Sequence, residues 1–200
     1  MPRLVQAIRF ARTPVLLLAL GLMISACGVN TIPTLEEQAK AKWSDVQNQY
    51  QRRADLIPNL VETVKGYATQ EREVLTQVIE ARAKATQVKV DASTVTDPSK
   101  FKEYQEAQNA LTGALGRLLV TVERYPDLKS NQNFLALQSQ LEGTENRIAV
   151  ARRDYIEAVR AYNTELKTVP GVIWASTLYR SYKPMETFSA PTDAQRAPAV

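Results

Sequence analysis

The sequence predicts an all-α fold: an antiparallel helical bundle of three long helices with a short helix near the C terminus. Two observations carry this expectation. Apolar residues recur at alternating steps of three and four along three long stretches, which is the spacing that lines one face of a helix. The polar and proline-containing segments fall between those stretches, and no strand pattern competes with them.

The first stretch, over 34–88, has the seam Trp43, Val46, Tyr50, Arg53, Ile57, Leu60, Val64, Tyr67, Glu71, Val74, Val78, Ala81, Ala85 and Val88. Only Arg53 and Glu71 interrupt its apolar character. A polar break follows from Asp91 to Pro98, where Asp97 can cap and Pro98 can take the first helical position. The second stretch runs through Phe101, Tyr104, Gln108, Leu111, Leu115, Leu118, Val122 and Tyr125 and stops at Pro126. Ser130 or Asn131 starts the third, with Phe134, Leu137, Leu141, Thr144, Ile148, Ala151, Tyr155, Ala158 and Tyr162 on its seam, ending before Pro170-Gly171. Even seams joined by short connections predict antiparallel packing near +20°. Gly113, Gly116 and Gly143 inside these helices are either points of close backbone contact or tolerated surface positions. Beyond Pro170, the segment Val172–Tyr179 reads as a short helix that docks on the bundle end, or as a partner-binding or membrane-contacting patch.

The N terminus carries an address. Arg3, Arg9 and Arg12 precede the apolar run 14–24 and then Ser25-Ala26-Cys27-Gly28, which is the layout of a bacterial secretory signal. A membrane span needs about 20 apolar residues, more than this run offers. Ile24-Ser25-Ala26-Cys27 resembles a lipobox, so Cys27, the only cysteine, is expected to become the acylated first residue of the mature chain, with lipid of the palmitate type as its anchor. Gly28 after the cysteine favours the periplasmic face of the outer membrane if the source is Gram-negative. The expected organisation is a signal peptide over 1–26, lipidated cysteine and tether over 27–33, and bundle over 34–170. A docking segment over 171–187 and a disordered tail over 188–200 complete it.

Composition narrows the chemistry. The chain has no histidine and one cysteine, so imidazole-dependent metal sites, Ser-His-Asp triads and Cys-His dyads cannot be assembled within it. Three of its 25 basic residues and none of its 21 acidic ones lie in residues 1–26, so the remainder carries 22 against 21. That near balance argues against nucleic acid as a partner. Glu142 and Glu145 stand one turn apart, with Glu71 and Glu123 as further carboxylates, but a ferritin-like site needs Glu-x-x-His twice, so no metal and no cofactor are expected. Arg53 and Glu71 must find partners if buried, or mark a face that is not buried.

Helix lengths single out one region. At 1.5 Å per residue the stretch 34–88 would span roughly 80 Å, against roughly 40 Å for 99–125 and 55 Å for 131–167. The first helix therefore either projects beyond its partners or bends at Pro58 and returns as a fourth member. If it projects, Trp43, Val46 and Tyr50 lie uncovered with Arg53 at their edge, and these four residues are the candidate interaction surface.

Several segments resemble the LemA family. They are Asn48–Tyr67 (NQYQRRADLIPNLVETVKGY), Val122–Leu128 (VERYPDL), Thr144–Ala149 (TENRIA), Ala151–Tyr155 (ARRDY) and Tyr162–Thr164 (YNT), in order over roughly 34–170. The resemblance implies an all-helical, membrane-associated bundle without an established enzymatic activity or cofactor. It also implies an uncleaved N-terminal membrane helix, which the lipobox replaces here. The expected function is a non-enzymatic, lipid-anchored scaffold or adaptor of the bacterial cell envelope, with protein partners not named by the sequence and self-association left open. A carboxylate-dependent envelope hydrolase and an inert structural spacer are the alternatives.

Overall fold

The computed structural model describes residues 28–88, 91 and 93–189. Within them the chain forms six helices and no strand: α1 (Thr31–Tyr67), α2 (Arg72–Gln87), α3 (Pro98–Val122), α4 (Pro126–Lys129), α5 (Gln132–Glu165) and α6 (Gly171–Thr177). The all-α bundle is as expected, but its fourth long member arises in a different place. The chain does not turn at Pro58, which lies inside α1. It turns at 68–71, where Ala68 leaves helical geometry and its N–H bonds Val64 O at 2.9 Å, and α2 then runs back along α1.

Two local facts explain this. Proline at position 58 has no N–H to give the carbonyl four residues earlier, so Ala54 O would lose its helical partner. Arg82 of α2 donates Nε–H to that oxygen at 2.7 Å, which keeps α1 intact and ties it to α2. The four-residue connection replaces about one helical turn, so the apolar spacing runs through it in phase. Glu71, one of the two charges on the predicted seam, is the residue immediately before α2 and accepts hydrogen bonds from Tyr125 Oη at 2.8 Å and Arg124 at 2.9 Å. Tyr125 thereby closes the connection after α3. Tyr67, the other seam position at the turn, is about half exposed.

The remaining boundaries follow their caps. Asp97 accepts from the backbone N–H groups of Ser99 and Lys100 ahead of Pro98, and Asn131 accepts from Phe134 N. Gly113 and Gly116 face open space and Gly143 meets only the end of the Arg147 side chain, so none marks a close helix contact.

Helices α1 and α5 are antiparallel along most of their length, as the pairs Tyr67–Asn131, Arg53–Glu145 and Lys42–Asp154 show. Helix α3 runs parallel to α1 and antiparallel to α2. The bundle has two cores in series. The distal one, near the 68–71 turn, is enclosed by four helices and is mainly aliphatic: Ile57, Leu60, Val64, Leu75, Val78, Leu111, Leu115 and Leu118, with Phe134. The proximal one, near the start of α1, is mainly aromatic: Trp43, Tyr50, Phe101, Tyr104, Tyr155, Tyr162 and Phe188. Helix α2 is too short to reach this half. Its place is taken by the extended segment 183–189, whose backbone is held by side chains of α5. Tyr155 Oη donates to Glu186 O at 2.8 Å, Tyr162 Oη to Lys183 O at 3.0 Å, and Asn163 bonds both Met185 O and Met185 N. The ordered core thus extends to Phe188, into the segment expected to be tail; residues 190–200 lie outside the described residues.

Candidate functional site

The residues expected to form an exposed interaction surface are inside the protein. Trp43 is 6% exposed, Val46 and Tyr50 are similarly buried, and Arg53 is 1% exposed. The expectation is overturned because the chain reverses at 68–71 and α3 then starts alongside Trp43, covering the residues that a continuous 34–88 helix would leave projecting. The Trp43 ring lies 5.7 Å from Phe101, 5.3 Å from Tyr104, 5.2 Å from Tyr155 and 6.0 Å from Phe188, so it is the hub of the proximal core.

Arg53 sits where the two cores meet. Its guanidinium donates to Thr112 Oγ1 at 2.8 Å, Glu145 Oε1 at 3.1 Å, Gln108 Oε1 at 2.6 Å and Gln108 O at 3.3 Å, and it stands 5.0 Å from the centre of the Tyr50 ring. Gln108 passes the network on to Ala85 O of α2. One cation therefore bonds directly to α3 and α5 and reaches α2 through Gln108, which offsets the cost of burying it. Burial raises the Tyr50 phenol above its ordinary range, with the Arg152 and Arg53 charges pulling it back, and burial raises Tyr104 likewise. A cleft of about 130 Å³ opens beside this layer at the end of α2, lined by Gln47, Tyr50, Thr86, Tyr104 and Gln108 among others.

The carboxylates considered for metal are otherwise engaged: Glu145 by Arg53, Glu142 by Gln138, Glu123 by Lys129 and Glu71 by Arg124 and Tyr125. Among the described residues no group of three or more metal-ligating side chains is assembled. Gln108, Thr112 and Arg82 were not singled out from sequence. The signal for Gln108 was present, since it is a polar residue on an apolar seam as Arg53 is, and two such positions on neighbouring helices point to each other.

The other distinctive region is the foot of the bundle. Cys27 lies outside the described residues, and Gly28 is the first described one. Its φ of +105° is in the range that favours glycine, and a Cβ built on it would lie 3.5 Å from Cγ of Pro170. The N-terminal tether therefore leaves the bundle beside the α5–α6 turn. Gly171 in that turn is required by space, because a Cβ there would collide with the backbone of Glu165. Helix α6 rests Trp174 and Ala175 on the proximal core and leaves Ile173 outside, and Leu178 immediately after the helix is outside as well. Among the described residues no helix is long and apolar enough to cross a membrane.

The chain is similar in sequence to several known proteins. Magnetosome protein MamQ 2 of Paramagnetospirillum magneticum is 27% identical over 157 residues, covering 70% of this chain and 58% of its own. Magnetosome protein MamQ of Magnetospirillum gryphiswaldense is 25% identical over 186 residues, covering 81% and 68%. Protein LemA of Metamycoplasma hominis is 25% identical over 123 residues, covering 62% and 52%. The chain thus spans little more than half the length of some of these relatives. The LemA family profile matches residues 42–200, through both cores and the segment that covers the proximal one, and the chain belongs to the LemA family.

Proposed function

We propose that this protein is a non-enzymatic scaffold of the bacterial cell envelope, anchored to the membrane through lipid on Cys27 and offering the outer faces of its bundle to protein partners. The observation that carries the reading is how the interior is used. Among the described residues the one fully buried cation is bound to three side chains and a carbonyl, and the aromatic residues fill the proximal half. Recognition then falls to the outside of the bundle. The designation of two relatives as magnetosome proteins supports a part in an assembly. In a Gram-negative source the anchor is expected in the outer membrane, facing the periplasm.

The test has two arms, both with the full chain. Cys27→Ala should release the protein from the membrane fraction, and mass spectrometry of the wild type should find residues 1–26 missing and an acylated Cys27. Retention of Cys27→Ala in membranes together with residues 1–26 would replace the lipid by a helical anchor. Crosslinking in intact membranes should recover defined protein adducts; recovery of none would favour an inert spacer, and bound metal with hydrolytic activity would favour an enzyme.

A further inference from the structure

We infer that α6 and the turn before it form a membrane-contacting foot, which lays Val169, Val172, Ile173 and Leu178 against the lipid surface to which the N terminus is tied. The inference rests on the membrane anchoring proposed above, but not on whether acyl chains or the apolar run 14–24 supply it.

Three observations converge. The first is composition: from Thr168 to Tyr179 the chain has no aspartate, glutamate, lysine or arginine, and the basic Lys167 and Arg180 bound this interval on either side. Segments that lie in a membrane interface have this layout, with apolar and aromatic side chains at the level of the headgroups and cations outside them. The second is exposure. Val169 is 77%, Ile173 51% and Leu178 63% exposed, although each is large and apolar, and the helix that carries Ile173 is only seven residues long. Trp174 and Tyr179 are half-buried behind them, packed against the proximal core, so the patch is fixed to the bundle and does not swing freely.

The third observation identifies the occupant. A Cβ built on Gly28 would lie 3.5 Å from Cγ of Pro170, so the residue that follows Cys27 is placed beside the turn that opens α6. A membrane holding residue 27 lies within a few ångströms of this turn, and one holding the run that ends at Ile24 lies within about 15 Å, since each residue of chain reaches at most ~3.6 Å. Other exposed apolar side chains lie away from this turn: Ile79 on α2 and Val120 on α3 belong to the distal part of the bundle, and Val150 on α5 lies beside Asp45 and Gln49 of α1. A lipid surface is thus present at α6 by covalent geometry, whereas a second copy or another protein would have to be recruited. Contact at two points, the tether and α6, would fix the tilt of the bundle on the membrane.

Photo-crosslinking with the full chain tests this. A benzoylphenylalanine probe replaces Ile173 in one sample and Ile79 in another, and each protein is purified from membranes and reconstituted in vesicles of equal parts phosphatidylcholine and phosphatidylglycerol. The expected result is lipid adducts at position 173 and none at 79, with both proteins melting as the wild type does. Leu178→Asp combined with the probe at 173 should reduce those adducts while the protein still sediments with vesicles. Vesicle-bound protein whose 173 probe yields only protein adducts, to a second copy or another chain, or no adducts at all, overturns the foot and leaves the anchor standing. A full chain that does not sediment with vesicles overturns both.

Discussion

The distal and proximal halves of the bundle solve the same problem with different materials. In the distal half four helices surround the core, and mainly leucine, isoleucine and valine close it. In the proximal half one helix is replaced by an extended segment, which is thinner than a helix and brings its own unpaired backbone groups. Large rings cross the wider gap, and the hydroxyls of Tyr155 and Tyr162 bond the segment's carbonyls. An extended segment outside any sheet can complete a helical core when the helices supply hydrogen bonds as well as apolar surface. The difference also localises vulnerability. The distal core depends on many small contributions, while the proximal one depends on a few rings with Trp43 at their centre.

The largest effect should come from that centre. Trp43→Ala is expected to cost about 3–5 kcal/mol, read as a fall in the denaturation midpoint. Hydrogen exchange should show amides of the proximal half losing protection while those around Leu111 and Leu118 keep theirs. Equal loss in both halves would mean that the two cores form one cooperative unit.

Arg53→Ala should be next, at about 3 kcal/mol, toward the lower end for a broken buried pair because Glu145 is 37% exposed and can turn to water. Its mark would be a loss of coupling between the halves, with the proximal one melting separately. Arg53→Met should restore part of the stability by filling the space.

Alkaline pH should also separate the halves. Burial, helped by the Glu36 charge, lifts the Tyr162 phenol from 10.0 to about 12. Tyr50, Tyr104 and Tyr155 are raised as well, each mainly by burial. A tyrosine whose folded pKa lies above its unfolded value contributes its full stability below about pH 10 and loses it as pH rises through the folded value. Melting temperature should therefore hold steady to about pH 10 and fall by about pH 12, with the ultraviolet phenolate signal of these four tyrosines appearing only on unfolding. Early titration of all eight tyrosines in the folded protein would contradict the closed proximal core.

The smallest effect belongs to the distal half. Arg82→Met removes the donor to Ala54 O and should cost about 1–2 kcal/mol. In the Pro58→Ala background the restored N–H supplies that carbonyl from within the helix, so the same substitution should cost clearly less. A double-mutant cycle in denaturant with no coupling would show that Arg82 serves only as packing.

Much of this protein was determined locally. Helix periodicity, the Asp97 and Asn131 caps and the prolines at the first positions of α3 and α4 are readable because each depends on residues within one or two turns. The same holds for the family signature. The tertiary structure alone decided the site of the chain reversal, because an in-phase turn has the same apolar spacing as a turn of helix, and Pro58 looked like the stronger breaker until Arg82, distant in sequence, supplied what the proline lacks. It decided the fate of Trp43, Val46, Tyr50 and Arg53, since burial depends on which segment lies opposite. Here that includes Met185 and Phe188, two apolar residues with no helical period to announce them. It also decided that the tether leaves beside α6, a proximity of Gly28 to Pro170 that no local pattern encodes.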